Sequence, residues 1–223
     1  MTISGDEWKV VGFTLWTATL AVLCDLVPGL LLAWMLARKS WPGKAVVETI
    51  ASLPLVMPPV ATGLILLELL GRRGLLGSWF YRFGIEIVFT WKAVVAAMAV
   101  MAFPFVIRSA RGAFEGVDRR LEHVAATLGA SPLRIAWTIT LPLASRGILA
   151  GVVMAFTRAL GEFGATILVA GNIPGHTTTL ATSIYSEITL GRDTKALALI
   201  VISVTLAFSL TLISEVVTRR RVS

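Results

Sequence analysis

The stretch that begins Leu121-Glu122-His123-Val124-Ala125-Ala126-Thr127-Leu128-Gly129 and runs on to Ile139-Thr140-Leu141-Pro142 decides the fold, because it is the longest interval with many polar residues in an otherwise apolar chain. Its hydrophobic residues Leu121, Val124, Ala125 and Leu128 follow the i, i+3, i+4, i+7 spacing of one helix face. Asp118 stands at an N-cap position, and Gly129 stands where a helix-ending residue belongs. The stretch therefore predicts a short amphipathic helix over 119–128 that presents a narrow apolar stripe to a partner.

The rest of the composition is typical of an integral membrane protein. The chain has 223 residues, of which 56% are hydrophobic and 15% are charged, and its mean hydropathy is +0.83. Soluble domains carry about one-quarter charged residues, and several uncharged runs here approach the ~20 residues that a membrane-spanning helix needs. The net charge of +7 is spread between apolar runs, which favours lipid headgroups over nucleic acid as partners. One cysteine and two distant histidines predict neither a disulfide nor a metal site.

Hydropathy predicts an all-α integral membrane protein with about five transmembrane helices in a single domain, residues 1–223. The predicted spans are about 10–36, 49–67, 93–107, 148–170 and 196–214, and the loop 108–146 contains the amphipathic helix. Residues 178–190 are too polar for a full span and are expected to form at most a short extra helix. More basic residues fall on the cytoplasmic side when the 108–146 loop is placed there, which predicts an outside N-terminus and a cytoplasmic C-terminus.

Two of these spans contain residues that are costly in a membrane. Pro54, Pro58 and Pro59 interrupt the second span, and such breaks are tolerated where neighbouring helices or a cavity satisfy the freed backbone groups. Pro58 and Pro59 are therefore candidates for a pore or gate, with irregular packing as the alternative. Arg158 and Glu162 lie four residues apart in the fourth span and can pair. The pair either neutralises itself inside the bundle or supplies positive potential along a transport path.

The amphipathic helix and the residues after it match a known spacing. Cytoplasmic loops of ABC-importer permeases carry Glu-Ala-Ala, then Gly, then Ile-x-Leu-Pro, and this chain resembles them at Gly129, Ile139, Leu141 and Pro142. His123-Val124-Ala125 occupy the Glu-Ala-Ala positions, with Glu122 immediately before them. The resemblance implies a type I ABC importer permease fold with a cytoplasmic coupling helix. The residues implied at the contact with an ATPase are Leu121, Glu122, Val124, Ala125, Leu128 and Gly129.

Three further blocks make the resemblance more specific. Leu53-Pro54-Leu55-Val56-Met57-Pro58-Pro59, Gly71-Arg72-Arg73-Gly74 and Gly161-Glu162-Phe163-Gly164-Ala165-Thr166 are similar to blocks of molybdate ABC-transporter permeases. Tungstate and sulfate or thiosulfate permeases share the last block and are the alternatives for the substrate. The resemblance implies a homodimer of permease subunits in the cell inner membrane, surrounded by membrane lipid. It also implies a cytoplasmic ABC ATPase dimer and a periplasmic molybdate-binding protein as partners.

The sequence assigns nucleotide chemistry to another subunit, because it lacks the pattern Gly-x-x-x-x-Gly-Lys-Ser/Thr. ATP and Mg²⁺ are therefore expected on the separate ATPase, and neither a catalytic residue nor a cofactor is expected on this chain. The expected function is molybdate import by alternating access, coupled to the ATPase through the 119–128 helix. An ion-driven secondary transporter is a further alternative, but such proteins are usually larger and often contain inverted repeats.

Overall fold

The computed structural model describes residues 5–219, in which every regular element is a helix. The predicted all-α fold is therefore confirmed. A π-helical turn, Ala136–Thr140, joins α7 to α8 without a break. The helices are α1 Gly5–Arg38, α2 Lys44–Val56, α3 Pro59–Leu70, α4 Gly77–Arg82, α5 Trp91–Glu115, α6 Arg119–Thr127, α7 Pro132–Ile135, α8 Leu141–Leu160, α9 Gly164–Val169, α10 Leu180–Thr189 and α11 Asp193–Arg219.

Helices α1, α5 and α8 form the centre of the bundle, and small residues let their backbones approach closely. A methyl group on Gly151 of α8 would lie 2.4 Å from Cβ of Ser109 in α5. One on Gly29 of α1 would lie 2.8 Å from Cγ1 of Val106. Lipid tails are as apolar as leucine, so helices in a membrane gain their association from such close packing rather than from burial away from water. Buried alanines on these three helices also belong to this core, among them Ala18, Ala21, Ala97, Ala102, Ala155 and Ala159.

Within the described residues, four helical segments are long and apolar enough to cross a membrane. They are Gly5–Arg38, Trp91–Glu115, Pro132–Leu160 and Asp193–Leu212. The pair α2 and α3 adds a fifth segment, which is bent by 115° at its break. The number agrees with the prediction when the bent pair makes one crossing. Residues 180–189 form only the short helix α10, as expected from their polarity.

Several predicted span boundaries differ from the structure. The span predicted at 93–107 continues to Glu115, because α5 accommodates Pro104 and because Arg111 pairs with Glu48 and Glu115. The span predicted at 49–67 is two helices rather than one. The span predicted at 148–170 instead runs through α7 and α8 and ends at Leu160. Most of the predicted 108–146 loop is therefore helical, since hydropathy cannot separate an arginine-bearing helical turn from a loop.

Helices α1 and α5 run in the same direction, which gives the bundle two chemically different ends. At one end Trp16 of α1 packs against Trp91 of α5, with ring centroids 5.1 Å apart. At the other end Arg38 donates to the carbonyl of Val117, just after α5, at 3.4 Å. Helices α1 and α5 end at this second end, and helices α2, α6 and α7 begin there. We call it the basic end, because these segments carry many basic residues, namely Arg38, Lys39, Lys44, Arg111, Arg119, Arg120 and Arg134.

Candidate functional site

Helix α6 lies at the basic end with the boundaries that its caps predict. The Asp118 carboxylate accepts the Arg120 N–H at 2.9 Å, which satisfies one of the free donors of the first turn. After the helix, Gly129 adopts a φ of +84°, and the Ala130 N–H donates to the Ala125 carbonyl at 3.0 Å. This is the left-handed helix ending for which glycine is preferred. The predicted helix over 119–128 is confirmed, as the structure has it at Arg119–Thr127.

The outer face of α6 is an exposed apolar stripe. Leu121, Val124 and Leu128 are 49%, 59% and 83% exposed, and Ala125 beside them is partly covered. Gly129 at the helix end is also exposed. Contiguous apolar residues on a helix that is otherwise polar indicate an interaction site rather than a solvated surface. The structure therefore brings the predicted stripe together on one face and leaves that face uncovered.

Glu122 lies on the inner side of α6 and fastens the helix to the bundle. Its Oε1 accepts hydrogen bonds from Arg38 Nη2 and Thr140 Oγ1, both at 2.7 Å. The Arg38 side chain is 9% exposed and that of Glu122 is 19% exposed, so water weakens this ion pair only partly. Arg119 adds a hydrogen bond to the carbonyl of Ala37 at 3.3 Å. The contacts of Glu122 are thus made within its own chain, whereas the apolar stripe points away from it.

Arg38 and Thr140 are functional candidates that the sequence did not reveal. Arg38 ends α1, and Thr140 is the last residue of the π-helical turn before α8. They lie 84 and 18 residues from Glu122 along the chain, so no helical or strand periodicity relates them to it. The only signal is that Thr140 stands inside the Ile-Thr-Leu-Pro block, while Arg38 is the first charge after the first apolar span.

A second site forms where two broken helices meet. Met57 ends α2 in an extended conformation, and Pro59 opens α3, where its missing N–H costs no helical hydrogen bond. The break between α8 and α9 lies directly against this point. A methyl group on Gly164 would come within 2.7 Å of Pro59 Cβ, and one on Gly63 would come within 2.8 Å of Ala165 Cα. The structure therefore joins the two regions that the sequence marked separately as pore candidates, while Pro58 and Pro59 themselves are exposed.

The predicted pairing of Arg158 with Glu162 is present beside this junction. Arg158 Nη2 lies 2.8 Å from Glu162 Oε2, and the side chains are 25% and 1% exposed, respectively. Glu162 Oε1 accepts the Ala165 N–H at 2.7 Å, so the carboxylate also caps the start of α9. Both oxygens of Glu162 are therefore occupied within the chain, and only the arginine is partly accessible. Within residues 5–219 no group of three or more His, Cys, Asp or Glu side chains is arranged to hold a metal ion.

Comparison with known proteins relates this geometry to a family. The family model described as "binding-protein-dependent transport system inner membrane component" matches residues 29–223. The chain is 48% identical over 217 residues to the molybdenum transport system permease protein ModB of Escherichia coli (strain K12), with coverage of 96% of this chain and 95% of that protein. It is also 36% identical to the sulfate transport system permease protein CysT of the same strain, with coverage of 91% and 73%.

The fold is shared with a solved ABC transporter. A structure of the MetNI methionine ABC transporter in an inward-facing conformation superposes with a TM-score of 0.74 over 97% of this chain and 98% of that chain, at 16% identity. At that identity the likeness concerns the fold alone. The sequence matches extend over nearly the whole chain and include the bent α2–α3 pair, α6 and the α8–α9 junction. The chain therefore belongs to the family of binding-protein-dependent transport system inner membrane components.

Proposed function

We propose that this chain is the permease subunit of an ATP-driven ABC importer that carries molybdate into the cytoplasm. The observation that carries the proposal is the 48% identity, over nearly the full length of both chains, to a molybdenum transport permease. Tungstate and sulfate or thiosulfate are the alternative cargoes, because a sulfate permease is 36% identical. ATP and Mg²⁺ bind to a separate ATPase dimer in this proposal, since residues 1–223 act as a single transmembrane domain without a phosphate-binding loop.

Helix α6 is the proposed contact with the ATPase. Its stripe of Leu121, Val124, Ala125 and Leu128, together with Gly129, enters a cleft of that subunit, while Glu122, on a neighbouring face of the helix, holds α6 on the bundle. Arg38 belongs to the end of α1 and Thr140 to the start of the α7–α8 segment. A displacement of α6 by the ATPase therefore acts on two membrane-spanning segments at once. Rigid helices joined by a hydrogen-bonded ion pair can pass on such a movement, whereas a solvated loop cannot.

The junction of the two broken helices is the proposed gate. Pro58 and Pro59 are exposed and face the space outside this chain, where a second copy completes the translocation path in a homodimer. Glu162 alone would repel a dianion, but its pairing with Arg158 cancels that charge and leaves a partly exposed guanidinium nearby. Alternating access then consists of a shift in the population of two arrangements of these helix breaks.

The proposed orientation places the basic end in the cytoplasm, with the N-terminus outside and the C-terminus inside. The arginines of α5, α6 and α7 and the loop between α1 and α2 all lie at that end, as the positive-inside rule requires. A periplasmic molybdate-binding protein then delivers the anion to the opposite end. Membrane lipid covers the remaining apolar surface of the inner-membrane protein.

Uptake by proteoliposomes that contain the permease, its ATPase and its binding protein tests this function. We expect ATP-dependent accumulation of molybdate that requires the binding protein. Sulfate should inhibit this accumulation only weakly. Preferential accumulation of sulfate or tungstate would assign the cargo to an alternative anion. Accumulation in vesicles that lack the ATPase would instead support an ion-driven secondary transporter.

The role of the Arg158–Glu162 pair is tested separately by neutralising both residues as Arg158→Gln with Glu162→Gln. If the pair is structural, the double variant assembles and transports molybdate at nearly the wild-type rate. Lost transport in a normally assembled complex would place Arg158 on the path of the anion.

A further inference from the structure

An apolar groove opens on the outer surface of the bundle beside the basic end. It lies between α1 and the segment formed by α7 and the π-helical turn, and its volume is about 500 Å³. Its lining is almost wholly apolar and includes Val27, Leu31, Trp34, Leu133 and Trp137. Four of these side chains are also strongly exposed, with 67% for Val27, 61% for Leu31, 70% for Leu133 and 66% for Trp137. The groove is therefore open to whatever surrounds the chain.

The depth of the groove matches one leaflet of a bilayer. Trp34 and Val27 precede the last residue of α1, Arg38, by four and eleven residues, which corresponds to about 6 and 17 Å along a helix that rises about 1.5 Å per residue. Half of a hydrocarbon core is about 15 Å thick. An acyl chain whose headgroup lies level with the end of α1 would therefore run along the whole groove.

Two basic residues lie next to residues that line the groove. Lys39 Nζ lies 5.3 Å from the ring centroid of Trp34, and Arg134 directly follows Leu133 and is exposed. Neither cation forms an ion pair with a carboxylate in the described part of the chain, in contrast to the neighbouring Arg38 and Arg111. Aromatic residues beside unpaired cations mark the level of the headgroups in membrane proteins.

We propose that this groove is a binding site for one anionic phospholipid, with an acyl chain packed between Trp34 and Trp137 and the phosphate held by Lys39 and Arg134. The two cations favour an anionic lipid as the occupant, because they complement an anionic headgroup. An apolar helix of a second copy would leave them without partners. Free inorganic phosphate would use the cations alone and would leave the apolar groove empty.

The bound lipid also bears on helix α6, because Thr140 lines the groove and donates its hydroxyl hydrogen to Glu122. A lipid packed against the π-helical turn holds that hydroxyl in place and so stabilises the attachment of α6. We therefore expect anionic lipid to increase the amount of substrate carried per ATP hydrolysed. This consequence, and the assignment of the groove to the cytoplasmic leaflet, rest on the proposed function, whereas lipid binding itself does not.

Native mass spectrometry of the purified permease–ATPase complex, exposed to equal amounts of phosphatidylglycerol and phosphatidylcholine, measures the lipid preference. We expect the wild-type complex to retain phosphatidylglycerol. Lys39→Gln and Arg134→Gln should each reduce the preference about fivefold, which corresponds to the ~1 kcal/mol that one basic residue contributes near an anionic surface. Trp137→Ala should weaken the binding of both lipids alike, because it removes packing rather than charge. Inorganic phosphate should not displace the lipid.

Lys92 provides a matched control at the opposite end. Its Nζ lies 5.9 Å from the Trp91 ring centroid, so it repeats the lysine–tryptophan contact, but it donates to the carbonyl of Glu86 instead of facing the groove. Lys92→Gln should leave the preference unchanged. The proposal would be overturned by an equal loss of preference in Lys92→Gln or by the absence of any lipid preference in the wild type. It would also be overturned if the Leu31→Cys variant, in a Cys24→Ser background, formed an intermolecular disulfide cross-link between two copies.

The functional consequence is measured as molybdate uptake per ATP in vesicles of phosphatidylglycerol and of phosphatidylcholine. We expect a higher ratio with phosphatidylglycerol, and equal ratios would overturn the link to α6. A complex that retains the anionic lipid but imports no molybdate in either vesicle would refute the proposed function while leaving the lipid site intact.

Discussion

Replacing Glu122 with alanine removes the acceptor that Arg38 and Thr140 share. Both hydrogen bonds are 2.7 Å long, and Arg38 is only 9% exposed, so the variant leaves a nearly buried guanidinium without its carboxylate. Removing one partner of a fully buried ion pair costs about 3–5 kcal/mol. Because Glu122 retains 19% exposure, water screens the pair in part, and we expect a loss of about 2–4 kcal/mol. This loss falls on the attachment of α6 rather than on the bundle as a whole.

Hydrogen–deuterium exchange of the α6 amides in lipid nanodiscs measures that attachment. A loss of about 2–4 kcal/mol in local opening free energy corresponds to exchange that is about 30- to 1000-fold faster over 119–127. Glu122→Gln keeps an acceptor oxygen for Arg38 and should give an intermediate increase.

Glu115→Ala is the matched control, because it also removes a carboxylate from an arginine at the basic end. Glu115 is 46% exposed and pairs with Arg111 one turn away, so its loss should cost less than about 1 kcal/mol and change exchange by less than about fivefold. Equal exchange of α6 in Glu122→Ala and Glu115→Ala would refute the reasoning, since the buried ion pair would then not be what holds the helix.

Two further predictions concern glycines. Gly164→Ala would bring a methyl group within 2.7 Å of Pro59 Cβ, so we expect a loss of about 1–3 kcal/mol, seen as a lower melting temperature and slower uptake. The methyl group of Gly161→Ala would meet only a carbonyl oxygen at 4.0 Å, so this control should leave the melting temperature and the uptake rate unchanged. Equal effects of Gly161→Ala and Gly164→Ala would contradict the close contact of the two helix breaks. Gly129→Ala places a side chain at a φ of +84° and should cost about 1–2 kcal/mol, measured as faster exchange in the last turn of α6. Gly112→Ala is the control, because Gly112 lies inside α5 with open space around it, and this change should stabilise the protein by about 0.5–1 kcal/mol. If Gly129→Ala were also stabilising, the left-handed helix ending would not be required.

Features that depend on neighbouring residues could be predicted from the sequence. The boundaries of α6 follow from Asp118 at its start and Gly129 at its end, because both caps act within one helical turn. The pairing of Arg158 with Glu162 follows from their spacing of four residues. The apolar stripe follows from helical periodicity, whereas its exposure is seen only in the structure.

Features that depend on distant residues could not be predicted. The inner side of α6 is held by Arg38, which is 84 residues away from Glu122, and no local pattern relates the two. The contact between Pro59 and Gly164 requires two helix breaks from different parts of the chain to meet. Helix α5 extends beyond the predicted span 93–107, because hydropathy counts an arginine as a boundary, whereas ion pairs such as that of Arg111 with Glu115 keep it on a helix.

The most direct test of the proposed coupling role of α6 is the ratio of molybdate uptake to ATP hydrolysis in proteoliposomes that contain the Leu121→Asp variant. Leu121 is 49% exposed, so an aspartate there should leave the melting temperature of the permease unchanged, while it should disrupt the proposed apolar contact with the ATPase. His123→Asp is the control, because His123 is exposed on α6 but lies outside the stripe. We predict that Leu121→Asp abolishes uptake without abolishing ATP hydrolysis, and that His123→Asp keeps the wild-type ratio. An unchanged ratio in Leu121→Asp would contradict the coupling role of the stripe.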